Sequence, residues 1–202
     1  MTLHRQRDIL LERDGVINRR VANGCVYDWQ QFEFLPRALE ALRVLAENNI
    51  STLVLSRQPG IAQGLATAQE LEVVTRRFLL EVALAGGRIT KVYHCTHGEW
   101  DECHCKSPRP GLVVRARAEH GFCPPDTYMV SESCEDLAAA AAVGCPGILL
   151  QREAFLTNES QRECGVQVAS SLYDAVERIV LGRKETSEVA EDSAVRSVLL
   201  LS

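Results

Sequence analysis

The sequence predicts an α/β fold: a three-layer α/β/α sandwich on a parallel sheet, with small insertions and no large cap. Three observations predict it. Short apolar, often β-branched runs alternate with longer segments of helical periodicity. The short runs are apolar at nearly every position, as strands buried on both faces require. Glycine, proline or paired asparagine falls at the joints.

The elements follow in order. Asp8-Ile9-Leu10-Leu11 is the first strand, and it runs into Glu12, Arg13, Asp14 and Gly15. Residues 35–49 place Leu35, Leu39, Leu42 and Leu45 at helical spacing, with Pro36 acceptable in a first turn and Asn48-Asn49 as the end. Residues 50–56 form a buried strand. Thr67 and Glu70 make a capping box for a helix that stops at Gly86-Gly87. A third strand covers 89–95, a helix 110–121, a strand 127–131, a small-residue helix 134–144, a strand 147–151 and a last helix 171–182. The domain is expected over 1–181. The remainder, 182–202, is polar and then apolar at its end, and is expected to be a flexible tail.

Composition narrows the function. Of 202 residues 46% are apolar, enough for a full core. The formal charge of −5 and the lack of a basic cluster argue against nucleic acid as a partner. No apolar run reaches membrane-spanning length, and the first residues carry no secretory pattern. A cytoplasmic chain is expected. Its eight cysteines then suit a metal site plus free thiols better than a disulfide scaffold.

Sites in open parallel sheets form beyond the carboxyl ends of the strands. Those ends carry Glu12 and Asp14; Ser56; Lys106, in the loop after the third strand; and Glu132 with Asp136. A hydroxyl, a cation and four carboxylates converging there suit magnesium and phosphate. The loop "CTHGEWDECHC" offers Cys95, His97, Cys103 and Cys105, three thiolates and an imidazole suited to tetrahedral, structural zinc. The alternative is a loop of free or disulfide-forming thiols.

The stretches "DILLERDGVIN", "QFEFLPRALEALRVL", "SRQPGIAQG", "YHCTH…CHCKSPRPG" and "YMVSESCEDLAAAAAVG" together resemble the haloacid dehalogenase superfamily of phosphatases. The likeness is strongest to its heptose-bisphosphate and histidinol-phosphate phosphatase branch, in which a zinc loop sits at the same place. The resemblance implies a Mg²⁺-dependent phosphomonoester hydrolase acting on a small phosphorylated metabolite, a sugar phosphate above all. It places the nucleophile at Glu12 and the general acid and base at Asp14. It places phosphoryl-binding groups at Ser56 and Ser107, with Lys106 beside the latter, and magnesium ligands at Glu12, Asp14 (through its carbonyl), Glu132 and Asp136. Arg57 stands where the family has asparagine, Ser131 where it has glycine. Arg57, Lys106 and Arg109 could grip a further phosphate or a sugar acid, with plain surface charge as the alternative.

The departures from the family bear on catalysis. The family's nucleophilic aspartate is here Glu12, its motif lysine is Ser107, and its metal aspartate is Glu132. One extra methylene moves the attacking oxygen by roughly 1 Å, a misplacement that costs on the order of 10²-fold in rate. A lost electrostatic donor at the phosphoryl group costs about 2.7–4 kcal/mol in the transition state. The expectation is therefore a phosphatase fold with impaired or lost hydrolysis, a pseudoenzyme. The alternatives are a retuned Mg²⁺-dependent enzyme that still attacks through Glu12, and a non-catalytic binding or regulatory subunit.

Overall fold

Ile9, Leu10 and Leu11 on β1 (Arg7–Glu12) are all fully buried. Successive strand side chains point to opposite faces, so three buried in a row need cover on both sides. The computed structural model, which describes residues 7–21, 26–151 and 166–182, shows how that cover arises. β2 (Ile50–Arg57), β3 (Lys91–Cys95), β4 (Tyr128–Ser131), β5 (Gly147–Leu150) and β6 (Gln167–Ala169) join β1 in one sheet of order β3-β2-β1-β4-β5-β6. Every pairing is parallel.

Among the described residues the sheet is covered by α1 (Ala38–Glu47), α2 (Ala68–Leu84), α3 (Gly111–His120), α4 (Cys134–Ala141) and α5 (Leu172–Asp174), which runs on as a π-helical segment, Ala175–Val180. The two faces make separate cores. Ile9, Leu11, Val54, Val130 and Ile148 pack with Leu42 and Leu45 of α1, Phe78 of α2 and Leu172 at the start of α5. Leu10, Leu53, Leu55, Met129 and Leu149 pack with Leu112, Val113 and Ala116 of α3 and with Leu137 and Ala140 of α4. Alternate residues of the same strands thus feed opposite cores, and the expected three layers are present.

Local signals place most boundaries. Thr67 and Glu70 form the expected capping box, and Gly86, at φ +82°, follows the end of α2. Gly121, at φ +78°, ends α3. The first helix differs from expectation. It starts at Ala38, because Arg37 sits in the left-handed region at φ +60°, so Pro36 lies ahead of the helix. Trp29 and Phe32 stack with centroids 5.0 Å apart, and Phe32 meets Phe78 at 5.5 Å, so this aromatic group belongs to the core. The expected tail lies outside the described residues except for Gly182. Among the described residues no helix is long and apolar enough to cross a membrane.

Candidate active site

The chain winds outward one way through β2 and β3 and the other way through β4, β5 and β6, so a crevice opens at the carboxyl ends of β1 and β4. Register brings the chemistry there. Glu12 pairs with Leu55, one residue before Ser56, and Leu11 pairs with Val130, one residue before Ser131. A cleft of about 180 Å³ opens at this end, lined by Glu12, Asp14, Arg20, Arg57, His97 and Lys106 among others.

Glu12 is 4% exposed, and both of its carboxylate oxygens have partners. Oε2 accepts a hydrogen bond from Ser131 Oγ at 2.6 Å, and Oε1 accepts one from an Arg20 Nη at 3.0 Å. Burial and the facing Asp136 carboxylate push its pKa upward, against the pull of Ser131 and Arg20. A carboxylate so placed needs an adjacent positive charge to stay ionised. The hydroxyl of Ser131, absent from a glycine, therefore holds the longer acid in place.

Asp14 is held more tightly. Its two oxygens accept from Arg13 Nε at 3.2 Å and Nη2 at 3.0 Å, from Asn18 Nδ2 at 2.9 Å and from Gln58 Nε2 at 2.8 Å. Four donors satisfy the acceptor capacity of a carboxylate. Gln58 also donates to Ser56 Oγ at 2.9 Å. Arg13 is fully buried, with its guanidinium 5.8 Å from the Phe32 ring centre. Neither Arg13 nor Gln58 stands out in the sequence, yet together they lock the acid.

Arg57 reaches over the cleft from the end of β2. Its Nη2 lies 3.8 Å from Glu12 and 3.7 Å from Asp136, and its buried Nε has no hydrogen-bond partner among the described residues. Asp136, in the first turn of α4, accepts from the Ser107 hydroxyl and lies 3.1 Å from Ser131 Oγ. Lys106 Nζ donates to the Glu99 carbonyl, and Arg109 Nη1 donates to the Cys103 carbonyl at 2.7 Å. These two cations brace the loop, while Glu12, Ser56, Arg57, Ser107 and Asp136 converge.

Sequence reasoning missed Arg20. A short pairing presents it: Arg19 N donates to Glu33 O, and Leu35 N to Ile17 O. Its Nε donates to Glu132 Oε1 at 2.6 Å, and one Nη reaches both Glu12 Oε1 and the Asp14 main-chain oxygen, the latter at 3.2 Å. Those oxygens belong to three of the four groups expected to hold magnesium, Asp136 being the fourth. Mg²⁺ demands oxygens at about 2.0–2.1 Å in near-octahedral array. Here they converge on a guanidinium instead, and the residues as arranged do not fit the ion. The sequence signal was the pair Arg19-Arg20, which reads as ordinary surface charge.

The loop after β3 gathers Cys95, His97, Cys103 and Cys105, whose ligand atoms all lie within 4.8 Å of one another. Sulfur separations are 3.1 Å for Cys95–Cys105 and 4.0 Å for Cys95–Cys103, and His97 Nδ1 lies 3.7 Å from Cys95 Sγ. Bonds of about 2.3 Å at tetrahedral angles would set sulfurs about 3.7 Å apart, so the cluster can hold a metal ion. Burial and the neighbouring thiols push Cys105 up to about 12, so a cation is what would let all three ionise. His94 lies outside the cluster, with Nε2 3.3 Å from Thr75 Oγ1.

A doubly wound parallel sheet with acids at the tip of its first strand, a hydroxyl at the tip of the second and a further acid after the fourth defines a haloacid dehalogenase-type phosphatase scaffold. No family model matches the chain. Individual relatives do. It is 36% identical over 146 residues to the D-glycero-alpha-D-manno-heptose-1,7-bisphosphate 7-phosphatase of Mycobacterium tuberculosis, covering 69% of this chain and 77% of that enzyme. It is 30% identical over 178 residues to the D-glycero-beta-D-manno-heptose-1,7-bisphosphate 7-phosphatase of Escherichia coli K12, covering 85% and 92%. The crystal structure of the D,D-heptose 1,7-bisphosphate phosphatase from B. bronchiseptica, complexed with magnesium and phosphate, superposes with a TM-score of 0.78 at 26% identity, covering 87% and 99%. The chain belongs to the heptose-1,7-bisphosphate 7-phosphatase branch of the haloacid dehalogenase superfamily.

Proposed function

We propose that the domain recognises a phosphorylated sugar, of the heptose bisphosphate kind, in the cleft at the ends of β1, β2 and β4, and that phosphomonoester hydrolysis there is impaired or lost. The observation that carries this reading is the engagement of Glu12: one oxygen held by Ser131, the other by Arg20. An attacking oxygen so held is buried and already engaged by a donor. Asp14 has four donors on its two oxygens, which leaves neither oxygen open toward a leaving group. Ser107, in the lysine position, donates to Asp136 and brings no charge to the phosphoryl group.

Recognition is better supported than turnover. Arg57 has an unpartnered buried Nε and three nearby acids, Glu12, Glu135 and Asp136, too distant for hydrogen bonds. An incoming phosphate could take a bidentate contact from it. Ser56 accepts from Gln58, which leaves its own proton to donate. Zinc bound by Cys95, His97, Cys103 and Cys105 would have no open position and would brace the loop that carries Ser107.

The test is phosphate release from sugar phosphates, heptose 1,7-bisphosphate included, by wild type, Glu12→Asp and Glu12→Gln, alongside calorimetry of sugar phosphate binding to wild type and Arg57→Ala. The expected result is no more release by wild type than by Glu12→Gln, with sugar phosphate bound by wild type and weakened about 10- to 100-fold in Arg57→Ala. Release by wild type that Glu12→Gln abolishes would establish the retuned enzyme instead. Absence of sugar phosphate binding to wild type would overturn the recognition reading.

A further inference from the structure

A single side chain contacts three of the four groups expected to hold a cation in this scaffold. Arg20 bonds to the Glu12 carboxylate, the Asp14 main-chain oxygen and the Glu132 carboxylate. These come from three separate places in the fold: the tip of β1, the turn after it, and the loop after β4. Ordinary surface arginines here make other kinds of contact. Arg76 and Arg77 each pair with one glutamate a helical turn away, and Arg19 with one glutamate across a hairpin-like pairing.

The lengths of the acids match this cation. A guanidinium is broader than Mg²⁺, and its N–H···O contacts run about 2.7–3.2 Å, against about 2.0–2.1 Å for the ion. A cage holding it must be wider, and its two side-chain acids are both glutamates. The carboxyl group of Glu132 lies over Gly15, where a Cβ would come within 2.2 Å of its Cδ. That glycine, at φ +93°, gives the longer acid room to reach Arg20. The acids are also partly offset: Arg20, together with Arg57 at 3.8 Å from the same Glu12 oxygen and 3.7 Å from Asp136, brings two positive charges to Glu12, Glu132 and Asp136.

We propose that Arg20 is an internal counter-ion standing in for the divalent cation, so that this pocket is assembled without Mg²⁺. The inference concerns how the site is built, and it holds or fails independently of whether any phosphate is bound or hydrolysed. Guanidinium occupancy also explains why both acids are long: aspartates on the same backbone would end short of nitrogens that lie 2.6–3.0 Å from the present oxygens.

The experiment measures metal rather than turnover. The protein as purified is dialysed into magnesium-free buffer without chelator, which leaves the cysteine–histidine loop undisturbed. Binding of Mg²⁺ is followed by calorimetry, binding of Mn²⁺ by its paramagnetic resonance signal, and stability by thermal melting. Wild type should bind neither ion at millimolar concentration and melt at the same temperature with or without Mg²⁺. Arg20→Ala opens the cage, and should bind Mn²⁺ and rise in Tm by about 2 °C or more on adding Mg²⁺. Ion binding by wild type that Glu132→Gln abolishes overturns the proposal. So does an Arg20→Ala protein that folds yet gains no ion binding. Should Arg20→Ala not fold, wild type and Glu132→Gln decide: ion binding that depends on Glu132 refutes the stand-in, and its absence upholds it.

Discussion

Gly15 is the residue on which the altered site turns. Its φ of +93° lies where a side chain is strained, and the Glu132 carboxyl occupies the space a Cβ would need. Gly15→Ala should therefore act twice: about 1–2 kcal/mol of backbone strain, and displacement of Glu132 from Arg20. Urea denaturation should show the loss. Combined with Glu132→Ala, the penalty should shrink to the backbone part alone, because the clash is gone; an unchanged penalty would mean that the packing of Glu132 against Gly15 is unimportant. Legibility at this scale divides by range. Glu12, Asp14, Ser56, Glu132 and Asp136 were readable because each ends or follows a strand, and parallel sheets collect strand ends. Arg20 was not, since its partners lie 8 and 112 residues away in the chain and no local period links them. Gln58 escaped for the same reason, its acceptor Asp14 lying 44 residues away; Arg13 adjoins Asp14 and escaped because a buried polar side chain looks like an exposed one in sequence.

Among the elements, α3 carries the loop-to-helix transition behind the site, and its far end is tied to the sheet edge by charge. Glu119 accepts from Lys91, the first residue of β3, and from Arg115 one turn back. Those two cations pull its pKa from the usual 4.5 down to about 2. A carboxyl whose folded pKa is depressed contributes stability above its unfolded pKa and loses it as pH falls toward the folded one. The stability difference between wild type and Glu119→Gln should thus be full above about pH 4.5 and fade as pH falls toward 2. Urea midpoints for both proteins across that range would check it, and a difference constant with pH would show that the ion pairs are not its source. Helices and long strands were legible from periodicity and caps, as at Thr67 and Gly121. β6 was not, because three residues, Gln167–Ala169, cannot display a period, and only their pairing with β5 makes them a strand. The start of α1 shifted to Ala38 because Arg37 takes a left-handed conformation that no propensity favours.

At the level of the whole molecule, two clusters of cation-ligating groups differ in what holds them together. The loop after β3 keeps all four soft ligands together, while the hard-oxygen site has taken in an arginine. The first builds shape: it sets the path of the chain toward Ser107, whose hydroxyl reaches Asp136, and Arg109 closes back on the Cys103 carbonyl. The protein as purified should then carry about one zinc per chain by mass spectrometric metal analysis, and Cys103→Ser should lose it. Because bound metal stabilises the folded state, chelation at neutral pH should lower Tm by several degrees and free the loop to hydrogen exchange. The effect should extend to the amides around Ser107 and Asp136 and spare α1 and α2, which pack on the opposite face. Zinc content unchanged by Cys103→Ser would place the metal elsewhere. Exchange that rises evenly over both faces would mean that the loop supports the fold as a whole rather than the wall of this pocket.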